Sequence, residues 1–248
     1  MNPTLIIIPT YNERENLPLM AAKLLALPVP VDVLVVDDNS PDGTGKLADE
    51  MAAKHPQIKV LHRTEKNGLG RAYIAGFKWA LAQGYEFIFE MDCDFSHDPR
   101  EIPAFLKAAE TADLVLGSRY RGGIRVINWP LGRLILSRFA GIYVNKVTGM
   151  PITDPTGGYK CFRRAALASL NLDEVRSNGY SFQIEMTHRL WREGYTVAEV
   201  PIIFTDRTEG QSKMAGGIIN EAFWMVWWLW LQNGLRRSPR ARKPAPRR

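Results

Sequence analysis

Three aspartates, Asp92, Asp94 and Asp98, follow closely on the apolar run Phe87-Ile88-Phe89. Asp92 and Asp94 are two residues apart, so in extended chain their side chains project the same way. Adjacent carboxylates disfavour each other's ionised form unless a cation joins them. A hard divalent ion, Mg²⁺ or Mn²⁺, suits oxygen ligands and leaves coordination places for substrate phosphates. A calcium loop of the EF-hand kind does not fit. Counted from Asp92, the sixth position is His97 rather than Gly and the twelfth is Pro103 rather than Glu. A glycosidase needs carboxyls on opposite sides of a sugar bond, which one strand end does not supply. The competing reading of an isolated Asp-x-Asp is a solvated loop end.

The elements around this motif weigh against that plainer reading. From residue 4 to about residue 119, short apolar runs (TLIII, VDVLVVDD, IKVLH, EFIFEMD, DLVLGSR) alternate with segments of helical spacing (ENLPLMAAKLLAL, TGKLADEMAAKH, GRAYIAGFKWALAQG, REIPAFLKAAE). The alternation predicts an α/β fold with a mostly parallel sheet and helices on both faces. Ligands of such sheets bind beyond the C-terminal strand ends. PTYNE, DDNSPDG and DCDFSHD all fall there, so three polar strand ends converge on one acidic crevice. After Arg119, WPLGRLILSRFAGIYVNKVTG reads as an amphipathic helix, DPTGGYKCF as a glycine-rich loop, SFQIEMTHRLWREG as a helix and TVAEVPIIF as a strand. TDRTEGQSKMAGG is polar and reads as flexible, and IINEAFWMVWWLWLQNGL closes the ordered pattern.

Composition narrows the classes further. A chain of 248 residues, 46% hydrophobic and 23% charged, suits one large globular domain or two small ones. The opening residues do not read as a secretory signal, and Cys93 and Cys161 read as free thiols of a reducing, cytoplasmic compartment. The two aspartates flanking Cys93 disfavour its thiolate. The net charge of +6 is concentrated: the final RRSPRARKPAPRR holds seven basic residues and no acid, and the rest is near neutral. No basic stripe on the body supports nucleic-acid binding, which is not expected. There is no Walker-type phosphate loop, and GLGRAY has Tyr73 where a dinucleotide fingerprint needs its third glycine. A phosphate site must therefore combine a metal with cations, for which Arg119, Arg133, Arg207 and Lys213 are the candidates.

Taken together, IIIPTYNERENL, VLVVDDNSPDGT, KNGLGRAYIAGF, EMDCDFSHDP, LGSRY, DPTGGYKCF and DRTEGQSKM resemble the inverting family 2 glycosyltransferases, of the polyprenol (dolichol) phosphate mannosyltransferase type. The resemblance spans about residues 4 to 217. It implies a GT-A fold and transfer of a sugar from a nucleotide donor to a lipid phosphate. It implies that Pro9, Tyr11, Glu13, Val36 and Asp38 line the donor pocket, with Asp38 contacting ribose or base. Asp37 is as well explained as a turn acid capping the next helix. Asp92 and Asp94 match the metal-binding pair around Cys93, with Asp94 the direct ligand; Mg²⁺ or Mn²⁺ is the implied cofactor. Ser96 stands where some members carry Gln, which leaves the ligand set incomplete. Arg207 and Lys213 match cations for the donor diphosphate, and Arg119, Arg133 and Ser137 match positions near the acceptor phosphate. Asp94, Arg119 and Arg133 are thus the expected catalytic residues, GDP-mannose and polyprenyl monophosphate the expected substrates.

AFWMVWWLWL is ten apolar residues long, too short for a bilayer span of ~20. Its tryptophans and the basic tail fit an interfacial helix with an electrostatic anchor. The alternative is a terminal helix packed on the domain or on a partner subunit. The expected organisation is a catalytic domain over 1–217, an apolar Trp-rich helix over 218–235 and a basic tail over 236–248. The expected location is peripheral, on the cytoplasmic face of a membrane, with a membrane-anchoring subunit as a further candidate partner. Two other functions stay open: the same reaction with UDP-glucose or another donor, and a non-catalytic nucleotide-sugar-binding adaptor.

Overall fold

The computed structural model describes residues 3–175, 177–205, 216–235 and 238–239. The first half alternates as its hydrophobic pattern requires. β1 (Thr4–Thr10), α1 (Asn16–Leu25), β2 (Asp32–Asp37), α2 (Thr44–Lys54), β3 (Ile58–His62), α3 (Leu69–Gln83) and β4 (Phe87–Glu90) follow in order. A 3₁₀ turn at Pro99–Glu101 then opens α4 (Ile102–Ala108), which leads to β5 (Leu114–Ser118). The second half contains β6 (Val126–Ile127), α5 (Leu131–Thr148), β7 (Lys160–Arg163), α6 (Arg164–Ala168), α7 (Gly179–Arg192), β8 (Val197–Pro201), β9 (Phe204–Thr205) and α8 (Gly216–Gln232).

Seven strands form one sheet in the order β3-β2-β1-β4-β7-β5-β8. All pairings are parallel except those of β7, which runs antiparallel to both β4 and β5. The end of DPTGGYKCF, expected as loop, is therefore a strand. Opened by a lysine and closed by an arginine, β7 carries only Cys161 and Phe162 as apolar residues, too few to mark a strand. It is a central strand nonetheless, because β5 lies one place further out. β6 and β9 form a separate two-stranded parallel ladder.

Side-chain alternation along the strands divides the core into two layers. Leu5 and Ile7 of β1, with Leu34 and Val36 of β2, pack with α3, α5, α6, α7 and α8. Ile6, Ile8, Val33 and Val35 face the other way, toward α1, α2 and α4. Helices thus cover both faces, as expected. α3 lies close on the sheet: a Cβ on Gly76 would stand 2.7 Å from Ile7 Cγ2, so only glycine fits without displacement. α3 stops at Gly84, whose φ of 84° is the left-handed C-terminal cap.

α8 packs on α5 and α7 and buries Val226 and Leu229 in the core. Its opposite side leaves Trp224, Trp228 and Leu231 exposed. The Trp-rich segment is thus docked on the domain along one stripe and, among the described residues, exposed along another.

Candidate active site

Three loops rise from the C-terminal ends of β1, β2 and β4, and each turns through a left-handed residue. Asn12 has φ 62°, Asn39 φ 57° and Phe95 φ 62°. Asn adopts this region readily. For a bulky Phe it is an outlier of the kind that clusters at functional sites. These turns bring together an open groove between the three strand ends. Of the residues expected at the donor site, Pro9, Tyr11, Glu13, Asp38, Asp92, Cys93 and Asp94 line it together. Thr10, Lys66, Gly68, Leu69 and Ala72 line it too. Lys66 and Gly68 belong to KNGLG, which opens α3.

Val36 is placed differently. It is fully buried, pairs with Pro9 across the sheet and faces Gly76 of α3, so its side chain is core and not groove. Asp37 also has a structural task, but not helix capping. Its carboxylate accepts from Thr10 Oγ1 at 3.0 Å and Ser40 Oγ at 2.6 Å, tying the β2 loop to β1. The acid at the start of α2 is Asp42, which accepts from the Thr44 amide at 2.9 Å and from the Arg14 amide at 3.3 Å.

At one end of the groove, Asp38 receives a 2.5 Å bond from Arg63 Nη1. Burial still raises its carboxyl above the usual aspartate range, against the opposing pull of Arg63. The Lys66 ammonium lies 3.6 Å from the centre of the Tyr11 ring, a cation–π contact on the same wall. At the other end, Asp92 accepts from the buried Tyr73 hydroxyl at 3.2 Å, and Asp94 accepts from the Ser96 amide at 3.1 Å. Burial, with Glu13, Asp94 and Asp92 nearby, pushes the Cys93 thiol far up, so it stays protonated. Asp98 does not join this pair. It caps the 3₁₀ turn through the Arg100 amide at 2.9 Å and is ion-paired with Arg100.

Among the described residues no three His, Cys, Asp or Glu side chains form a ready-made metal cage. Two carboxylates facing a groove fit a Mg²⁺-type ion that completes its shell with water and substrate phosphates. They would not fit an ion held by protein alone.

Two layers support this end and escaped sequence reasoning. Glu90 and Lys160 face each other in the β4–β7 register, fully buried beneath the aspartates. Burial lifts Glu90 to about 7 and lowers Lys160 to about 8, each opposed by the other's charge. His97 is also buried: its Nδ1 accepts from the Asp92 amide at 3.1 Å, and its ring stacks on Tyr159 at 4.8 Å.

The expected acceptor residues gather beside the groove in a different arrangement from a simple anion cradle. Arg119 is 5% exposed and grips Asp154 through Nε at 2.7 Å and Nη2 at 2.6 Å, with Thr156 Oγ1 2.8 Å from Nη2. Burial works against ionising Asp154, but Arg119 outweighs it and holds the carboxyl below its ordinary value. The Arg119 fork is therefore engaged within the protein, and Trp129 and Phe204 face it at 5.3 and 5.6 Å. Arg133, in the first turn of α5, stacks on Trp129 at 4.2 Å. Ser137, one helical turn further, accepts from the Tyr120 hydroxyl at 2.7 Å. Arg207 and Lys213 lie outside the described residues.

A mostly parallel sheet with loops at its C-terminal strand ends, and an Asp-x-Asp pair on the groove between them, is an arrangement of the GT-A type. Residues 5–170 match the family described as "Glycosyl transferase family 2", and the chain belongs to that family. It is 50% identical over 218 residues to an undecaprenyl-phosphate mannosyltransferase of Micrococcus luteus, covering 88% of this chain and 90% of the relative. It is 51% identical over 225 residues to a polyprenol monophosphomannose synthase of Mycolicibacterium smegmatis, covering 90% and 85%. The fold is shared with glucosyl-3-phosphoglycerate synthase of Mycobacterium tuberculosis, solved with Mn²⁺, UDP-Glc and phosphoglyceric acid. That match has a TM-score of 0.67 at 16% identity and covers 94% of this chain and 80% of that one. A mannosyltransferase of Pyrobaculum calidifontis, solved with GDP-Man and Mn²⁺, matches with a TM-score of 0.58 at 19% identity, covering 94% and 71%.

Proposed function

We propose that this glycosyltransferase moves a mannosyl group from GDP-mannose to the phosphate of a polyprenyl monophosphate, with inversion at the sugar carbon. One observation carries the reading. In a chain half identical to polyprenyl-phosphate mannosyltransferases, a single groove joins a carboxylate suited to a base, Asp38, to the Asp92–Asp94 pair.

The nucleophile is an acceptor phosphate oxygen. With a second pKa of about 6 it is largely ionised at neutral pH, so no general base is required. Its lone pair forms the bond to the sugar carbon as the bond to the diphosphate oxygen breaks, and the electrons leave on GDP. Asp92 and Asp94 would hold a Mg²⁺ or Mn²⁺ ion, which when bound supplies Lewis-acid stabilisation of the departing diphosphate. Arg133 positions the incoming phosphate and offsets the repulsion between two anions. Arg119, fixed by Asp154, sets the place of the Trp129 ring on which Arg133 rests. Arg207 and Lys213 are read as cations for the donor diphosphate. At the base end, guanine offers two adjacent N–H donors to a carboxylate, whereas uracil flanks its one N–H with carbonyls. Asp38 therefore favours GDP-mannose over UDP-glucose.

The test is transfer of radiolabel from GDP-mannose or UDP-glucose to polyprenyl phosphate in Mg²⁺ or Mn²⁺. Label should enter the organic phase from GDP-mannose alone; transfer from UDP-glucose alone would overturn the donor assignment. Arg133→Ala should raise the acceptor KM about tenfold or more, with the GDP-mannose KM within about twofold. Equal changes in both would remove Arg133 from the acceptor site.

The same reading places the enzyme at a lipid surface. No helix among the described residues is long and apolar enough to cross a membrane. α5 exposes Ile135 and Phe139, and α8 exposes Trp224 and Trp228. Tyr143 stacks on Phe223 at 5.2 Å, so the two helices adjoin. Tryptophans on a docked helix followed by seven basic residues suit an anionic headgroup layer. Co-sedimentation with phosphatidylglycerol vesicles should fall markedly in a Trp224→Ser/Trp228→Ser variant. Undiminished binding would assign this face to a protein partner.

A further inference from the structure

We propose that Phe204 is a positioning residue that holds the metal-side loop and the acceptor-side cluster at a fixed separation. The inference rests on the reading above, in which a nucleophilic phosphate near Arg133 must meet a sugar held near Asp94.

Phe204 sits on β9, the short strand paired with β6, and its amide donates to the Arg125 carbonyl at 2.9 Å. Its backbone is thus anchored to the segment that runs into Trp129 and α5. Its ring touches both halves of the site. Toward the donor side, it meets His97 edge-to-face, with centroids 5.9 Å apart and planes at 72°. His97 in turn accepts the amide of Asp92 through Nδ1 at 3.1 Å, so the imidazole fixes the backbone that presents the aspartate pair. Toward the acceptor side, Phe204 meets Trp129 edge-to-face at 5.5 Å and 76°, and the Arg119 guanidinium at 5.6 Å. Trp129 carries Arg133 on its face at 4.2 Å.

The order Asp92, His97, Phe204, Trp129, Arg133 is a continuous line of contacts between the two binding sites. Each edge-to-face aromatic pair has a preferred geometry. Phe204 stands in the middle of that line and is bound to neither end covalently. Its backing is rigid on both sides: Tyr159 stacks behind His97 at 4.8 Å, and Asp154 locks Arg119. In-line displacement depends steeply on separation, and about 1 Å of misplacement costs on the order of 100-fold. A spacer ring there acts on the rate of the bound complex and not on the binding of either substrate.

The test compares Phe204→Leu, which removes the ring at similar volume, with Phe204→Tyr, which keeps it. Expected for Phe204→Leu is a fall in kcat of about 10- to 100-fold. The acceptor KM, and the GDP affinity measured calorimetrically in Mn²⁺, should stay within about twofold, and Tm within a few degrees. Phe204→Tyr should recover most of the lost kcat. Three results would overturn the proposal: an unchanged kcat in Phe204→Leu, an acceptor KM that moves as far as kcat, or a Tyr variant as impaired as the Leu variant. Wild-type transfer is measured in parallel. Its absence would defeat the functional reading and this inference with it, whereas normal wild-type transfer with an unaffected Leu variant defeats only the role of Phe204.

Discussion

Asp94→Ala is expected to yield a folded protein with no measurable sugar transfer. Asp94 is only partly buried and accepts from the amide of Ser96 two residues away, so it lies outside the apolar core. Its contribution is charge at the groove. If Asp94 holds the ion that stabilises the departing diphosphate, its removal withdraws several kcal/mol from the transition state, about 10³-fold or more in kcat. Calorimetric Tm should shift by no more than a few degrees, and Mn²⁺-dependent GDP binding should weaken in step with activity. A chelator should reproduce the loss in the wild type. Retained turnover in the variant, or in excess chelator, would end the metal assignment.

The second large effect concerns stability. Asp154→Ala should lower Tm by about 10 °C, because it strands the buried Arg119 guanidinium. Removing one partner of a buried pair costs about 3–5 kcal/mol. A degree or more is lost per half kcal/mol in a chain of this size. The carboxylate also accepts the Arg119 amide at 2.9 Å, and its own backbone amide donates to Glu199 at 3.0 Å, so the side chain joins β5 to the loop before β7. Activity should fall too, since Arg119 and Trp129 are placed by this pair. Denaturant unfolding with an unaltered midpoint would show that Arg119 finds another partner, and the cluster would then not depend on Asp154.

The groove was legible in the sequence because most of its lining residues are local to strand ends. Asp38, Asp92 and Asp94 each follow an apolar run, and a parallel sheet forces the ends of such runs together. The cluster around Arg119 was less legible. Arg119 was expected as a phosphate ligand, but its fork belongs to Asp154, 35 residues further along the chain. Spacing does not encode that meeting; it arises where the end of β5 passes the loop before β7. β7 escaped for a related reason. Its opening residue, Lys160, looks like a surface charge and is instead fully buried opposite Glu90. His97, Trp129 and Phe204 carry no pattern of their own; their rings meet from three separate segments. The ends of the chain divide similarly. The Trp-rich run was readable as a helix, but its docking on α5 and α7 through Val226 and Leu229 is a tertiary fact.

One measurement bears most directly on the central claim, that an ion lets clustered carboxylates accept a diphosphate. Crystals of the protein grown with GDP and Mn²⁺, with anomalous diffraction collected at the manganese edge, would locate both. The account predicts an anomalous peak bridging the Asp94 carboxylate and the diphosphate oxygens, with the guanine end beside Asp38. A diphosphate bound away from Asp94, with no ion between them, would contradict it.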